Sequence, residues 1–489
     1  MSSWKPDKNI DIPLYKQVVD YIKEKIGSGQ WPVGMKLSTQ RDMAESFQVN
    51  RSTIVEAIDI LKSEGLIDGK GRKGTVVINN SWSLMASNPP PNWEHYIESG
   101  MHWSNQSTIQ AINKLEFQTH MIRLGTGELS PDLYPKEAMA QVFSKVGQNV
   151  SNLGYEAPKG SLRLRQALST YLNGFGVKAS PENILIVSGS LQALQLISLG
   201  ILHSGSSVFV EKPSYLKSLN IFQSAGMQLK GVKMDAQGIS IKALEKQLDI
   251  RKTSLLYTIP TFHNPTGNIM SEQRRREILE FCRSERLPII EDDAYRDLWL
   301  DEIPPKPLKA QDVSGNVLYM GSMSKALAAG LRIGWLVGPE TVVDRLGDIK
   351  MQTDYGASSV SQEILTEWLN GGHHEEHIQI LREKLIERRR FACDLLETHM
   401  NDLATWSVPK GGFYIWLKLR HNLSVKRLFK VCAEQDILIN PGQIYDFEDN
   451  QYLRISYSYA SLPDLERGLI RLAEIIRDEM GVQKTVQTP

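Results

Sequence analysis

The chain has 489 residues, enough for two or three domains and a large buried core. Its 56 basic and 56 acidic side chains cancel, which excludes a global electrostatic pull toward nucleic acid or membrane and leaves only local patches. Three scattered cysteines, Cys282, Cys393 and Cys432, exclude a disulfide framework and a cysteine metal site; they suit a reducing cytoplasm, the expected compartment.

The opening residues, MSSWKPDKNIDIP, lack the basic start and apolar core of a secretory signal. From Pro13 to Ser28, Leu14, Val18, Ile22 and Ile26 recur at helical spacing, and Gly29 with the Trp31-Pro32-Val33-Gly34 turn ends that helix. Ser38 or Thr39 is placed to cap a second helix running to about Phe47. After a turn at Gln48-Val49, Asn50 is placed to cap a third, with Ile54, Ala57, Ile58 and Leu61 on its inner face. Arg51, Ser52, Thr53 and Glu56 then lie near the N-terminal end of the third helix, where a helix-turn-helix reads base edges in the major groove. The stretch DGKGRKGTVVI predicts two short strands around a glycine-rich basic tip. In such a wing Lys70, Arg72 and Lys73 approach phosphates while Gly71 and Gly74 allow close backbone approach. Residues 1–78 carry 12 Lys and Arg against 10 Asp and Glu, a surplus too small to argue DNA binding by itself, so the pattern alone also suits a module for protein contact. Over nearly its full length, however, this stretch resembles the winged helix of GntR-type bacterial regulators. That resemblance implies contacts to operator DNA through Arg41 of the second helix, Arg51 and Thr53 at the start of the third, and the wing from Arg72 to Gly74. Ser38 departs from the proline usual in that family.

Residues 79–119 read as a linker. The run NNSWSLMASNPPPNW fits neither a helix interior nor a central strand and makes a semi-rigid spacer. Trp93, Tyr96, Met101, Trp103 and Phe117 predict that part of the segment packs on a neighbouring surface.

Residues 120–489 alternate strands and helices with short Gly and Pro turns, which predicts an α/β architecture with a mainly parallel sheet. The apolar stretch Ile184 to Leu202 is broken by Ser188, Gly189, Ser190, Gln192, Gln195 and Ser198. It reads as strand, turn and buried helix rather than a membrane span, so Ser190, Leu191 and Gln192 open a helix N-terminus that favours a phosphate. The run GSMSKALAAGLRIGW follows a buried strand and sets Lys325 between the hydroxyl of Ser322 and the guanidinium of Arg332. An amine for a Schiff base, flanked by groups that hold one anion, suits a phosphorylated aldehyde such as pyridoxal phosphate. Ser322 and Lys325 also match the S-x-x-K spacing of penicillin-recognising serine enzymes, but the S-D-N and K-T-G those enzymes need are absent. Further clusters fall where a pyridoxal phosphate site needs them. Tyr215, just past the strand SVFVE, is placed to stack on the pyridine. Asn264 in FHNPTG is placed to reach the phenolic oxygen, with Tyr295 sharing it. Asp292 in PIIEDDAY is placed to hold the pyridine nitrogen protonated.

From about Ile122 to Ile476 the sequence resembles fold type I, class I pyridoxal phosphate aminotransferases. The resemblance implies that Lys325 forms the Schiff base, that Asp292, Asn264, Tyr295 and Tyr215 bind the ring, and that Ser190, Leu191, Gln192, Ser322 and Arg332 hold the phosphate. It also implies that Tyr155 crosses from a partner subunit to the phosphate, hence a homodimer, and that Arg454 grips a carboxylate. A winged helix-turn-helix, a linker and an α/β aminotransferase-like domain in one chain resemble the MocR group of regulators. In that group the large domain senses a ligand and changes how paired winged helices meet DNA. Tyr134, Met139 and Ala329 depart from the commoner residues, and Lys217 is the only cation just after Tyr215, which leaves the cofactor set intact and the ligand open. The expected function is a pyridoxal phosphate-dependent transcriptional regulator that senses an amino compound or the cofactor itself. The alternatives are an active aminotransferase tethered to DNA and a repressor whose large domain is only a scaffold. No metal and no membrane association are expected.

Overall fold

The computed structural model describes residues 4–8, 10–69, 74–79, 100, 107–149, 154–249, 251–446, 448 and 451–486. Arg72 and Lys73, with Lys70 and Gly71 of the wing tip, the triple proline and the side chain of Lys217 lie outside the described residues. Two compact units form, Met1–Gly100 and Met101–Pro489.

The first unit is three helices and a small sheet. Helix α1 (Leu14–Gly27) buries Val18, Ile22 and Ile26 against Ile54, Ala57, Ile58 and Leu61 of α3 (Arg51–Ser63), as their 3.6-residue spacing predicts. Between them α2 (Gln40–Phe47) is capped by Thr39, whose hydroxyl accepts from the Asp42 amide at 3.2 Å. Gln48 takes a left-handed conformation, φ 53°, to make the turn into α3. Asn50 caps α3 without its side chain; its backbone carbonyl accepts from Thr53 instead. Strands β1 (Ile67–Gly69) and β2 (Thr75–Val77) pair antiparallel, and Leu37 donates to the Thr75 carbonyl, tying the α1–α2 connection to the wing. Trp4 stacks on Tyr21 at 4.0 Å and closes the core.

The second unit is built on an eight-stranded sheet. After β3 (Ile122–Arg123), its strands are β4 (Ile184–Val187), β5 (Ser207–Lys212), β6 (Gln228–Asp235), β7 (Gly238–Ile239), β8 (Ser254–Thr258), β9 (Ile289–Asp292), β10 (Val317–Ser322) and β11 (Gly334–Val337), in the spatial order β4-β11-β10-β9-β8-β5-β6-β7. From β6 through β5, β8 and β9 to β10 neighbouring strands run parallel, and β11 is inserted antiparallel between β10 and β4. Helices cover both faces, so the central strands are near-continuous apolar runs. Ile184 to Leu202 is the expected strand, turn and helix, the helix spanning Ser190–Gly200. A smaller layer follows: β12 (Ala404–Thr405), β13 (Tyr414–Leu419), β14 (Ile437–Leu438), β15 (Asn440–Pro441) and β16 (Tyr452–Ser456). The order β12-β13-β16-β15 forms one sheet, and β14 pairs with β3. Within the stretch expected to be a linker, helix Ser107–Leu115 buries Ile109 and Ile112 in the core of this smaller layer. Among the described residues no helix is long and apolar enough to cross a membrane.

Candidate functional site

Parallel strands aim their C-terminal ends at one crevice, and ligands of α/β sheets bind there. Here β8 ends at Thr258, β9 at Asp292 and β10 at Ser322, and the turns after them carry Asn264, Tyr295 and Lys325. A cavity of about 180 Å³ opens at this edge, lined by Lys325, Asn264, Tyr215, Tyr414, Tyr445 and Arg454 among others. The Lys325 ammonium donates to the Gly127 carbonyl at 2.6 Å, a residue 198 positions away in the chain.

Asn264 is held from both ends of its amide: Nδ2 donates to the Tyr295 hydroxyl at 3.2 Å, and Oδ1 accepts from Arg454 Nη1 at 2.8 Å. Arg454 is buried in β16; Nη2 donates to the Gly125 carbonyl at 2.6 Å, and the guanidinium lies 4.0 Å from the Tyr414 ring and 4.8 Å from that of Tyr445. Its Nε is buried with no hydrogen-bond partner among the described residues. Tyr215 is half-buried and stacks on Tyr445 at 6.3 Å.

Asp292 Oδ2 accepts from the Tyr257 hydroxyl at 2.7 Å, while Oδ1 is buried with no partner among the described residues. Burial first of all, with Asp293 adding to it, raises the Asp292 carboxyl to about 6 from its ordinary 3.8, although Tyr257 and Lys325 pull the other way. Burial, reinforced by the carboxylate beside it, holds the Tyr257 hydroxyl protonated well above its ordinary range. A buried carboxylate with one oxygen spoken for and one orphaned has the chemistry to accept from a ring N–H⁺.

The anion-binding groups gather at the neighbouring turn. Gly189, at φ 86°, caps the helix that Ser190, Leu191 and Gln192 open, and a Cβ there would lie 2.6 Å from Arg332 Nη2. Arg332, itself left-handed at φ 52°, donates to the Ser188 carbonyl at 3.1 Å. Gln192 Oε1 accepts from the Ser188 amide at 2.8 Å, and its Nε2 bonds Asp354. Leu191 is half-exposed, so only its backbone serves a polar ligand. Ser322 is buried, its hydroxyl 3.1 Å from the Ile333 carbonyl and 2.9 Å from the Ser324 hydroxyl. Together the orphaned Asp292 oxygen, the helix end with its guanidinium and the amine of Lys325 fit the ring, phosphate and aldehyde of pyridoxal phosphate. Tyr155 stands apart, 83% exposed, its ring 4.9 Å from that of Tyr355, which is also exposed.

In the first unit Arg41, Arg51 and Ser52 are exposed on the starts of α2 and α3, and Thr53 is half-buried beside them. Gly74 takes φ 85° where the chain enters β2.

Two family patterns match: bacterial regulatory proteins of the gntR family over residues 14–77, and aminotransferase class I and II over residues 119–472. The chain is 52% identical over 477 residues to the uncharacterized HTH-type transcriptional regulator YisV of Bacillus subtilis (strain 168), covering 98% of this chain and 99% of that one. It is a MocR-type transcriptional regulator. The HTH-type transcriptional regulator NorG of Staphylococcus aureus (strain N315) is 31% identical over 458 residues, 91% of this chain and all of NorG. The larger unit of the regulator also superposes on the kynurenine aminotransferase of Pyrococcus horikoshii, solved in complex with PMP, with a TM-score of 0.75 and 30% identity over 80% of this chain and 98% of that one. The family thus joins a DNA-binding winged helix to an aminotransferase fold of the pyridoxal phosphate class.

The structure adds residues to this regulator's site that sequence reasoning missed. Tyr257 carried a local signal, since it lies in the strand that leads to FHNPTG. Ser324, whose amide donates to Ser322 at 3.1 Å, sat in plain view inside GSMSK. Gly127, Tyr414 and Tyr445 carried none, because each reaches the cavity from a distant part of the chain.

Proposed function

We propose that the larger unit of this regulator holds pyridoxal phosphate on Lys325 and senses an amino compound, or the cofactor itself, and that occupancy changes how the winged helices engage operator DNA. The observation that carries this reading is that Lys325 and Arg454, the two cations of one cavity wall, face it together with Asn264 and Tyr215. Asp292 Oδ1 keeps the pyridine nitrogen protonated, and Asn264 and Tyr295 bind the phenolic oxygen. Tyr215 lies against the ring, while Ser190, Leu191, Gln192, Ser322 and Arg332 hold the phosphate. Once bound, the cofactor supplies an aldehyde carbon that takes up an amine and a ring that withdraws electrons. Lys325 would hold the aldehyde end of the cofactor, and Arg454 would hold the carboxylate of the amino compound. Lys325 and Arg454 both donate to loop carbonyls, at Gly127 and Gly125, so a ligand that recruits either one releases a carbonyl of the 125–127 segment.

The exposed pair Tyr155 and Tyr355 supports a homodimer in which Tyr155 completes the phosphate site of the second copy. Arg41, Arg51, Ser52 and Thr53 at the helix starts, with Arg72, Lys73 and Gly74 of the wing, contact operator DNA. Residues 1–78 act as reader and 120–489 as sensor; of the 79–119 linker, the helix Ser107–Leu115 is built into the sensor's core. The test is binding to DNA from upstream of the protein's own gene at fixed salt, with and without pyridoxal phosphate and amino compounds, for the wild type and Lys325→Ala. The wild type is expected to change its affinity or footprint on loading, and the variant to lose both the cofactor's visible absorbance band and the response. An undiminished response in Lys325→Ala refutes the reading; sustained turnover of an amino donor with a keto acid replaces it with an enzyme.

A further inference from the structure

The wall of the Lys325 cavity also bears two carboxylates, Glu116 and Glu128. Glu116 follows the helix Ser107–Leu115, whose Ile109 and Ile112 line the same cavity, and is half-buried; Glu128 is exposed and adjoins Gly127, the acceptor of Lys325. Among the described residues neither carboxylate has an ion-pair partner. Glu116 stands close enough to Tyr215 that, after burial, its charge is one of the influences raising that hydroxyl. The buried Arg454 Nε, unpartnered and on the same wall, independently marks the cavity as a place for a polar ligand.

The wall's cations are already committed under the proposed function, on which this inference rests: Lys325 to the cofactor's aldehyde, Arg454 to the ligand's carboxylate. What remains for the rest of the ligand is an apolar surface from Ile109 and Ile112 ending in negative charge. A ligand with a second carboxylate meets two anions and no free cation, whereas one with an aliphatic stem and a terminal cation covers the isoleucines and pairs with Glu116. We propose that the effector is an amino acid whose side chain ends in an ammonium or guanidinium group, and that Glu116 is the residue that selects it, with Glu128 adding to the negative field. The selecting residue follows directly on the helix Ser107–Leu115, which lies near the start of the second unit in sequence, so the pairing acts on the part of the sensor that follows the first unit in the chain.

The experiment titrates the pyridoxal phosphate-loaded full chain with ornithine, lysine and arginine, then with norleucine and glutamate, following the visible absorbance band of the bound cofactor. The cationic amino acids are expected to half-saturate at concentrations roughly tenfold or more below norleucine, the factor one charge-assisted hydrogen bond carries, with glutamate weakest. Glu116→Gln should collapse the ratio of cationic to neutral affinity, and Glu116→Arg should turn it toward glutamate. A band that responds equally to lysine and norleucine, or a lysine preference that survives Glu116→Gln, overturns the inference while leaving the cofactor reading intact. A chain that forms no cofactor band with pyridoxal phosphate overturns both.

Discussion

Replacing Asp292 by Asn removes a charge without changing the side chain's shape, and the structure makes its two consequences opposite in sign. In the cofactor-free protein the carboxyl is raised from 3.8 to about 6, chiefly by burial, so ionising it at pH 7.5 costs about 3 kcal/mol at ~1.4 kcal/mol per tenfold change. Asn keeps an oxygen for the Tyr257 hydroxyl but turns an amide NH₂ toward the position of the orphaned Oδ1, which gives back about 1 kcal/mol. The net expectation at pH 7.5 is a variant more stable by about 2 kcal/mol, or a midpoint ~2 °C higher for a unit of this size. The sign of the pH dependence follows from linkage. The folded state holds its proton more tightly than the unfolded chain, so wild-type stability falls as pH rises from about 4 through about 6. The variant's advantage therefore develops across that window and is complete above it, and at pH 4 it reverses to a loss of about 1 kcal/mol, the unpaired amide alone. Pyridoxal phosphate reverses the comparison at pH 7.5, because the pyridinium supplies the partner that Oδ1 lacks; the variant is expected to bind the cofactor roughly 10- to 100-fold more weakly. Thermal unfolding of the full chain at pH 4 to 7.5, with and without cofactor, and a cofactor titration followed by absorbance read both effects. A variant that is less stable than wild type at every pH, or that binds pyridoxal phosphate as tightly, refutes the placement of Oδ1 against the ring nitrogen.

Gly189→Ala forces a Cβ against Arg332 at φ 86° and is expected to cost about 1–3 kcal/mol of stability together with at least ~10-fold in cofactor affinity, read by the same titration. Arg51→Ala, at the exposed start of α3, should cost roughly 1–3 kcal/mol on operator DNA and relax preference at one base position; equal losses on all sequences in a competition assay contradict a base contact there. Thr39→Ala removes the cap on α2 and should lower the stability of the first unit by about 1 kcal/mol, seen by calorimetry as an earlier transition of that unit while the cofactor-dependent transition stays put.

The sequence by itself determined whatever depends on neighbours a few residues apart. Val18, Ile22 and Ile26 turn inward because they repeat every helical turn, and Asp292 and Lys325 fall at one end of the sheet because the first closes a buried apolar strand and the second lies in the turn just past another. Those local signals were enough for the helix-turn-helix, the α/β class, and Tyr215, Asn264 and Lys325, which the structure brings to one cavity. Caps were read less well: Thr39 and Asn50 share an extended backbone, φ −63° ψ 153° and φ −67° ψ 149°, yet only the Thr39 side chain bonds an amide. Only the tertiary structure decided what Lys325 and Arg454 touch, because Gly127 and Asn264 lie 198 and 190 residues from them. It also decided that helix Ser107–Leu115 packs onto the cavity and brings Glu116 to its wall. Periodicity carries no information about such meetings. They are fixed by which sheet edges and helix faces bury each other, and by how far a buried polar group must reach for a partner.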